Sequence, residues 1–196
     1  MHTAVLRERL PLIERARPQR LLSCVSWLDR HEIDVVRSQA ALARRPAVRR
    51  LVRISNALGN GWIYPLFAIA LLVVQPGRAL IAIEAAVSAV AIAHIVYPLA
   101  KAFVGRERPC NRCSDLPAFM KPIDRYSCPS GHTMTACAAF LPVGVVFPIA
   151  GAIAVFLWLI LAWTRIAAAH HYPTDVVLGA VLGAVAAVAP MYLLLR

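Results

Sequence analysis

Charged residues are scarce in this sequence, and acidic ones are the scarcest. Only 16% of the 196 residues are charged, whereas 60% are hydrophobic. This composition is typical of an integral membrane protein and not of a soluble domain. The 21 Lys and Arg outnumber the 10 acidic residues, which gives a formal net charge of +11. Beside membrane spans, such an excess marks the cytoplasmic side and anionic lipid more often than nucleic acid, so we expect no nucleic-acid partner.

Several other features are missing. Residues 1–20 do not predict a secretory signal peptide, because they are rich in Arg, contain Pro11 and Pro18, and have no sustained apolar core. Five cysteines are an odd number and do not suggest the disulfide framework of a small secreted protein. The chain has no internal repeat and no low-complexity linker, and its length suits one domain.

Long apolar runs dominate the second part of the chain. They cover approximately residues 57–74, 79–101, 131–147, 150–166 and 175–195. Each is long enough, or nearly so, to cross a bilayer as a helix. We therefore predict an all-α, integral-membrane helical bundle with about five transmembrane helices. Residues 1–54 would form a basic N-terminal arm, and residues 55–196 a transmembrane catalytic domain.

The N-terminal arm contains no run long enough to span a membrane. Residues 19–53 predict one or two amphipathic helices that lie at the membrane interface, although a solvated arm is the alternative. One face would be apolar and the other polar. The apolar face would contain Leu21, Leu22, Val25, Trp27 and Leu28, and the polar face Arg30, Glu32, Asp34 and Arg37.

Polar residues of the second part collect at one end of the predicted bundle. The connections at about 102–130 and 167–174 would lie on one membrane face, and the turns at 75–78 and 147–151 on the other. Nearly all ionisable side chains are in the first pair. Ionisable groups at membrane depth are functional candidates, so this face predicts the active site.

Three cations at helix ends predict an anion site on that face. Lys101, Arg108 and Arg165 have few local carboxylates to neutralise them, and phosphate matches both the Arg fork and the Lys charge. Ser130 and Gly131 begin the third apolar helix, whose free backbone N–H groups attract the same anion.

Two histidines supply the chemistry that such an anion needs. His171 and Asp175 are four residues apart and would share a helix face, so Asp175 can fix the imidazole tautomer and leave the other nitrogen free to attack. His132 comes from a different helix and could protonate the leaving group. The three cations would replace a metal in stabilising charge, so we expect no metal and no cofactor.

These residues fall into three segments with a recognisable spacing. They are Lys101 to Arg108–Pro109, Pro129 to His132, and Thr164–Arg165 to His171 and Asp175. The pattern resembles the K-x6-RP, PSGH and [ST]R-x5-H-x3-D signature of the type 2 phosphatidic acid phosphatase superfamily, which also includes vanadium haloperoxidases. The one departure is Thr164, where Ser is commoner.

The resemblance implies a function and a role for each residue. Lys101, Arg108, Ser130, Gly131 and Arg165 would bind phosphate. His171 would be the nucleophile, His132 the general acid and Asp175 the orienting carboxylate. The protein would hydrolyse a phosphomonoester or pyrophosphate on a membrane lipid, such as phosphatidic acid, phosphatidylglycerol phosphate, an isoprenyl pyrophosphate or lipid A phosphate. The alternatives are a vanadate-dependent haloperoxidase and a non-catalytic phospholipid-binding membrane protein. The sequence does not indicate an oligomeric state.

A few polar residues lie outside this pattern. Glu84 and His94 fall inside the second apolar run, and we expect them to face the bundle interior and form structural hydrogen bonds. Asn56 and Asn60 would begin the first span. Cys110 and Cys113 resemble half of a zinc site, but a second pair is missing.

The distribution of arginines predicts an orientation in the bacterial cytoplasmic membrane. Six arginines precede the first span without an acidic residue between Asp34 and Glu84, whereas the opposite face offers only Arg78 and Arg196. The six are Arg37, Arg44, Arg45, Arg49, Arg50 and Arg53. The positive-inside rule therefore places the active site towards the cytoplasm.

Overall fold

A computed structural model describes residues 17–116, 120 and 122–196 of the chain, and these residues form helices without any strand. The elements are α1 Gln19–Leu42, α2 Pro46–Ala57, a π-helical segment Leu58–Trp62, α3 Ile63–Val74, α4 Pro76–Val104, α5 Pro109–Arg112, α6 Gly131–Val146, α7 Pro148–Ala167 and α8 Pro173–Leu194. The predicted all-α fold is confirmed.

Four helical stretches are long and apolar enough to cross a membrane. They are Pro46–Val74, Pro76–Val104, Pro148–Ala167 and Pro173–Leu194, and the apolar helix Gly131–Val146 is shorter. Each of the five predicted runs is therefore helical, and the protein is an integral membrane protein. The first helix begins about ten residues earlier than its apolar run, because an Arg-rich stretch continues into the span as helix.

The helix ends follow local sequence rules. Pro46, Pro76, Pro148 and Pro173 each open a helix, at the position where the fixed φ of proline fits and its missing N–H costs nothing. Helix α4 ends at Gly105, whose φ of 60° is left-handed and whose N–H donates to the Lys101 carbonyl over 2.9 Å. This cap ends the helix within one turn after Lys101.

Helices α4, α6 and α8 pack closely on small side chains. Buried alanines line the contact, including Ala89, Ala93, Ala138 and Ala187. A Cβ on Gly183 of α8 would lie 2.3 Å from the Met134 carbonyl oxygen of α6. Without glycine the helices could not approach so closely.

The close packing of α6 and α8 aligns their N-termini. A Cβ on Gly179 would lie 2.6 Å from the Ser130 carbonyl oxygen. The backbone N–H of Ser130 donates to the Asp175 carbonyl over 2.9 Å. Two predicted site residues are thus fixed together by backbone contacts.

The two connecting faces lie at opposite ends of the bundle, as predicted. At one end the Cys110 N–H donates to the Ala169 carbonyl over 3.0 Å and joins the long connection after α4 to the short one before α8. At the other end Arg78 donates from Nη2 to the Val146 carbonyl over 2.9 Å.

Helix α1 packs against the polar end of the bundle. Its Val36 and Ala40 are buried beside Tyr172. Leu22 and Trp27, on the predicted apolar face, are 47% and 50% exposed. That α1 meets the membrane interface stays a prediction, as does the division of the chain at residues 54 and 55.

Glu32, which we predicted on the polar face of α1, is mostly buried. Its side chain is only 12% exposed, and its carboxylate accepts hydrogen bonds from Arg106 and Thr174. Periodicity alone could not show this, since the cation that attracts Glu32 lies 74 residues away in sequence.

The predicted inward orientation of Glu84 and His94 is wrong. Both side chains are exposed on the outer surface of α4. The inward face of α4 is the alanine stripe that contacts α6 and α8, and it leaves no room for larger polar groups. The Nδ1 atom of His94 lies 2.9 Å from the Val90 carbonyl of its own helix.

Candidate active site

Arg108 lies at the centre of the polar end and is buried. Its Nη1 donates to the His170 carbonyl over 2.7 Å and lies 3.1 Å from Nε2 of His171. The guanidinium group can only donate, so Nε2 of His171 must be the acceptor. Its lone pair therefore faces the cation that the sequence assigns to phosphate.

The other ring nitrogen of His171 faces Asp175. Since Nε2 carries no proton in the neutral ring, Nδ1 is protonated. Nδ1 is buried without a hydrogen-bond partner, and Asp175 Oδ2 lies 3.8 Å away. This distance is too long for a hydrogen bond, but it brings the two residues together as predicted.

The prediction that His171 and Asp175 share a helix face is wrong, because His171 precedes α8 and Asp175 lies in its first turn. Asp175 Oδ2 instead accepts the Tyr172 backbone N–H over 2.8 Å, which folds the loop back onto the helix start. The loop brings His171 close to the carboxylate.

Lys101 and Arg108 share one carboxylate. Lys101 Nζ and Arg108 Nη2 each donate to Asp124 Oδ1 over 2.6 Å, and the Tyr97 hydroxyl donates to the same side chain. Lys101 Nζ also donates to the Tyr126 carbonyl over 2.5 Å. The long loop thus brings an anion between two of the three predicted cations.

Arg165 is buried on the other side of the histidine pair. Its Nη2 lies 2.9 Å from Nδ1 of His170, and its Nη1 donates to Asn56 Oδ1. His170 Nε2 lies 2.8 Å from the Met120 carbonyl, so Nε2 is the donor and Nδ1 accepts from Arg165. His170 therefore supports Arg165.

Ser130 and Gly131 begin helix α6, as predicted. Ser130 is fully buried, and its Oγ has no hydrogen-bond partner in the described structure. Arg165 Nε is also buried and unpartnered. Buried polar atoms are nearly always paired, so unpaired donors at a helix N-terminus suit an anion. A Cβ on Gly131 would lie 2.6 Å from the Tyr97 ring, so the tyrosine would have to move if a larger residue stood here.

The described hydrogen bond of His132 is to Asn60, which is not one of the predicted site residues. His132 Nε2 lies 2.7 Å from Asn60 Oδ1. Asn60 belongs to the π-helical segment, in which Gly61 has a φ of 138°. Asn56 and Asn60 of the first span thus reach Arg165 and His132, so the span joins His132 to the rest of the site.

Burial and positive charge make the two loop histidines weak bases. Burial, followed by the charges of Arg108, Arg165 and Lys101, lowers the pKa of His171 well below its usual value. Burial and Arg165 lower the pKa of His170 to about 4. Both rings are therefore neutral at pH 7. Although partial burial opposes its ionisation, Lys101 holds the pKa of Asp124 below its usual range.

The structure adds contacts that the sequence did not predict. Asp124 gave no signal, because the loop around it has no recognisable pattern. Asn56 and Asn60 were interpreted as residues that begin a helix, although their spacing of four residues could have indicated a shared face. Arg106, two residues before Arg108, contacts Asp175 and was not predicted.

No metal cluster appears in the part of the chain that the structure describes, meaning no group of three or more His, Cys, Asp or Glu. All five cysteines are free thiols. Cys110 is half-buried, and burial raises its thiol pKa.

Comparisons with known proteins agree on the fold. The model of the PAP2 superfamily matches residues 81–196. The structure resembles Aquifex aeolicus LpxE with a TM-score of 0.70 and 21% identity over 82% of this chain and 94% of that one. It also resembles the transmembrane PAP2-type phosphatidylglycerolphosphate phosphatase of Bacillus subtilis, with a TM-score of 0.61 and 18% identity over 97% and 94%. Curated protein sequences give no significant match. Since the family model covers more than half of the chain and all three signature segments, this protein belongs to the PAP2 superfamily.

Proposed function

We propose that this protein is a membrane lipid phosphatase that forms a covalent phosphohistidine on His171. The observation that carries the proposal is the position of His171 Nε2. This unprotonated nitrogen lies 3.1 Å from Nη1 of the buried Arg108. A neutral imidazole beside a cation meets the two needs of a nucleophile for a phosphate, since it is unprotonated and its target is attracted to it.

The reaction has two steps. His171 Nε2 attacks phosphorus, the P–N bond forms, the P–O bond to the lipid breaks, and His132 gives a proton to the leaving oxygen. Water then attacks the phosphohistidine, gives its proton to His132, and releases inorganic phosphate and neutral His171. Asp175 Oδ2, which lies 3.8 Å from Nδ1, would accept the Nδ1–H as the two atoms approach and would stabilise the positive charge that develops on the ring.

Lys101, Arg108 and Arg165 would stabilise the charge on the phosphoryl oxygens. In kinases, metal ions supply much of this stabilisation, so three buried cations can substitute for a metal. Ser130 Oγ and the N-terminus of α6 would donate further hydrogen bonds. The carboxylate of Asp124 accepts hydrogen bonds from Lys101 and Arg108, so a bound phosphate would compete with Asp124 for these two cations.

A lipid substrate fits the position of the site at one end of the membrane helices. An open groove begins at His132 and Asn60 and continues past Tyr64, Val90 and His94 along the flank of the bundle. It would allow a chain to stay in the bilayer while its phosphate reaches the cations. Candidate substrates are phosphatidic acid, phosphatidylglycerol phosphate, an isoprenyl pyrophosphate and lipid A phosphate.

The test is a panel of these lipid phosphates, together with halide oxidation, assayed on purified protein. We expect release of phosphate from at least one lipid and a loss on the order of 10³-fold or more in His171→Ala. The matched control is the neighbouring His170→Ala, which should lose far less. Substantial activity in folded His171→Ala protein would remove this mechanism, and halide oxidation without phosphate release would favour the haloperoxidase alternative.

We also propose that the active site faces the cytoplasm of a bacterial inner membrane. The basis is the arginine bias of α1 and α2, which lie at the polar end of the bundle. In a Cys-less background, a cysteine at exposed Ser114 should resist an impermeant maleimide in intact cells, whereas one at exposed Gly77 should react. The opposite pattern of labelling would reverse this orientation.

A further inference from the structure

Arg106 is the largest of the fully buried side chains among the described residues, and it lies outside the predicted set. It follows Gly105, the residue that ends α4, and precedes Arg108 by two positions. Its side chain is 1% exposed, and the guanidinium lies 3.8 Å from the centre of the Tyr172 ring. A cation so deeply buried needs carboxylate partners to offset the cost of desolvation.

Arg106 finds one of those partners in Asp175. Its Nη1 donates to Asp175 Oδ1 and to Thr174 Oγ1, each over 2.7 Å. The other oxygen of Asp175 accepts the Tyr172 backbone N–H. Both carboxylate oxygens are therefore held, and the second of them is the one that faces His171.

The remaining partners of Arg106 come from helix α1. Its Nε donates to Asp29 Oδ1 and its Nη2 to Glu32 Oε2, each over 2.7 Å. Asp29 and Glu32 are three residues apart, so they share one face of the helix. Arg112 donates to the second oxygen of Asp29. Three carboxylates and two guanidiniums thus form one network, which is buried except at Arg112, whose side chain is 41% exposed.

Glu32 also holds the start of α8. Its Oε1 accepts the Thr174 backbone N–H over 2.9 Å, and its Oε2 accepts the Thr174 hydroxyl over 2.7 Å. The first N–H groups of a helix lack partners within the helix and attract negative charge. A residue of α1 therefore caps the helix that carries Asp175.

We propose that Arg106, together with Asp29 and Glu32 of α1, forms a set of positioning residues that fixes Asp175 for His171. The inference rests on the proposed function and extends it, because it makes the N-terminal helix part of the catalytic unit. None of the three touches the phosphate site directly, so their effect passes through Asp175.

The test begins with Glu32→Gln, which keeps the size of the side chain but replaces one acceptor with a donor. That donor would face Thr174 or Arg106, both of which also donate. A hydrogen bond to Glu32 would therefore be lost, and Arg106 and Thr174 would hold Asp175 less firmly. We expect kcat to fall on the order of 10-fold to 100-fold with KM within about twofold, because misplacement at a distance affects the chemical step. Asp34→Asn is the matched control, since Asp34 lies on the same helix and is exposed. It should keep wild-type kcat.

A double-mutant cycle separates positioning from general stability. In an Asp175→Asn background, Glu32→Gln should lower kcat less than about twofold, because its effect passes through the residue already changed. An equal loss in both backgrounds, or an unchanged kcat in folded Glu32→Gln, would overturn the inference. If Glu32→Gln does not fold, Asp29→Asn takes its place with the same expected outcomes. Inactivity of the wild-type protein on every lipid would instead contradict the proposed function, and the inference with it.

Discussion

At the residue scale, the contact between Asn60 and His132 gives the first prediction. If Asn60 orients His132 as a general acid, Asn60→Ala should slow the cleavage of poor leaving groups most. A phosphomonoester expels an alkoxide, which needs a proton far more than the phosphate leaving group of a pyrophosphate does. We expect His132→Ala to lose about 10²-fold or more on the monoester, and Asn60→Ala to lose less with the same bias.

The measurement compares kcat/KM for both variants on a lipid phosphomonoester and an isoprenyl pyrophosphate. Exposed Trp62 of the same π-helical segment provides the control, as Trp62→Phe should change neither value. Equal losses on both substrates would count against the acid role of His132.

His170 gives a prediction on stability and pH. Burial and Arg165 lower its pKa to about 4 in the folded protein, against about 6.5 in the unfolded chain. Between these values the unfolded state binds more protons, so folding stability decreases as pH falls through this window. From pH 7 to pH 5 the loss attributable to His170 is about 2 kcal/mol.

Thermal unfolding in detergent at both pH values checks this. His170→Gln lacks the titrating group, so its melting temperature should change less between pH 7 and pH 5 than that of the wild type. An identical pH dependence in both proteins would show that His170 is not held neutral.

The sequence predicted which residues lie at the same end of the bundle better than it predicted their geometry. Lys101, Arg108 and Arg165 were recognisable by charge and spacing, because cations are rare in apolar sequence. The shared helix face of His171 and Asp175 was wrong, because the spacing of four residues also fits a loop that returns to a helix start. The network of Glu32 and Arg106 was missed, since pairs remote in sequence leave no periodic signal.

At the element scale, the close approach of α6 and α8 depends on glycine. Gly183→Ala would place a Cβ 2.3 Å from the Met134 carbonyl oxygen, so the two helices must separate. We expect a destabilisation of about 1–3 kcal/mol and a partial loss of activity, since the same contact aligns Ser130 with Asp175.

The matched control is Gly77→Ala in the first turn of α4, where a Cβ would meet nothing within 4 Å. Alanine is the better helix former, so this variant should be neutral or slightly more stable. Relative to the wild type, the melting temperature should fall for Gly183→Ala and stay equal or rise slightly for Gly77→Ala. A Gly183→Ala protein as stable as the wild type would show that α6 and α8 do not pack so closely.

The helices themselves were largely predictable. The apolar runs and their prolines marked five helices and the hairpin at Phe147 between α6 and α7. The start of the first helix was not predictable from hydropathy, because its first turns are rich in Arg. The orientation of Glu84 and His94 was not predictable either, because hydropathy does not show which face of a helix meets its neighbours. In α4 the alanine stripe is the face that packs against α6 and α8.

At the scale of the whole molecule, three buried cations at one membrane end predict phosphatase activity that does not depend on a metal. Activity should persist in EDTA, and vanadate should inhibit as a mimic of five-coordinate phosphorus. Phosphate release with and without chelator, and across a vanadate titration, checks both. Loss of activity in EDTA with recovery on adding a divalent ion would require a metal site.

The covalent intermediate on His171 is the central claim, and trapping it is the most direct test. Purified protein mixed with a ³²P-labelled lipid phosphate is quenched in alkali within milliseconds, and its labelled peptides are sequenced. We predict an acid-labile, alkali-stable phosphate on His171 in the wild type and none in His171→Ala. A label on any other residue, or full turnover by His171→Ala, would contradict the account.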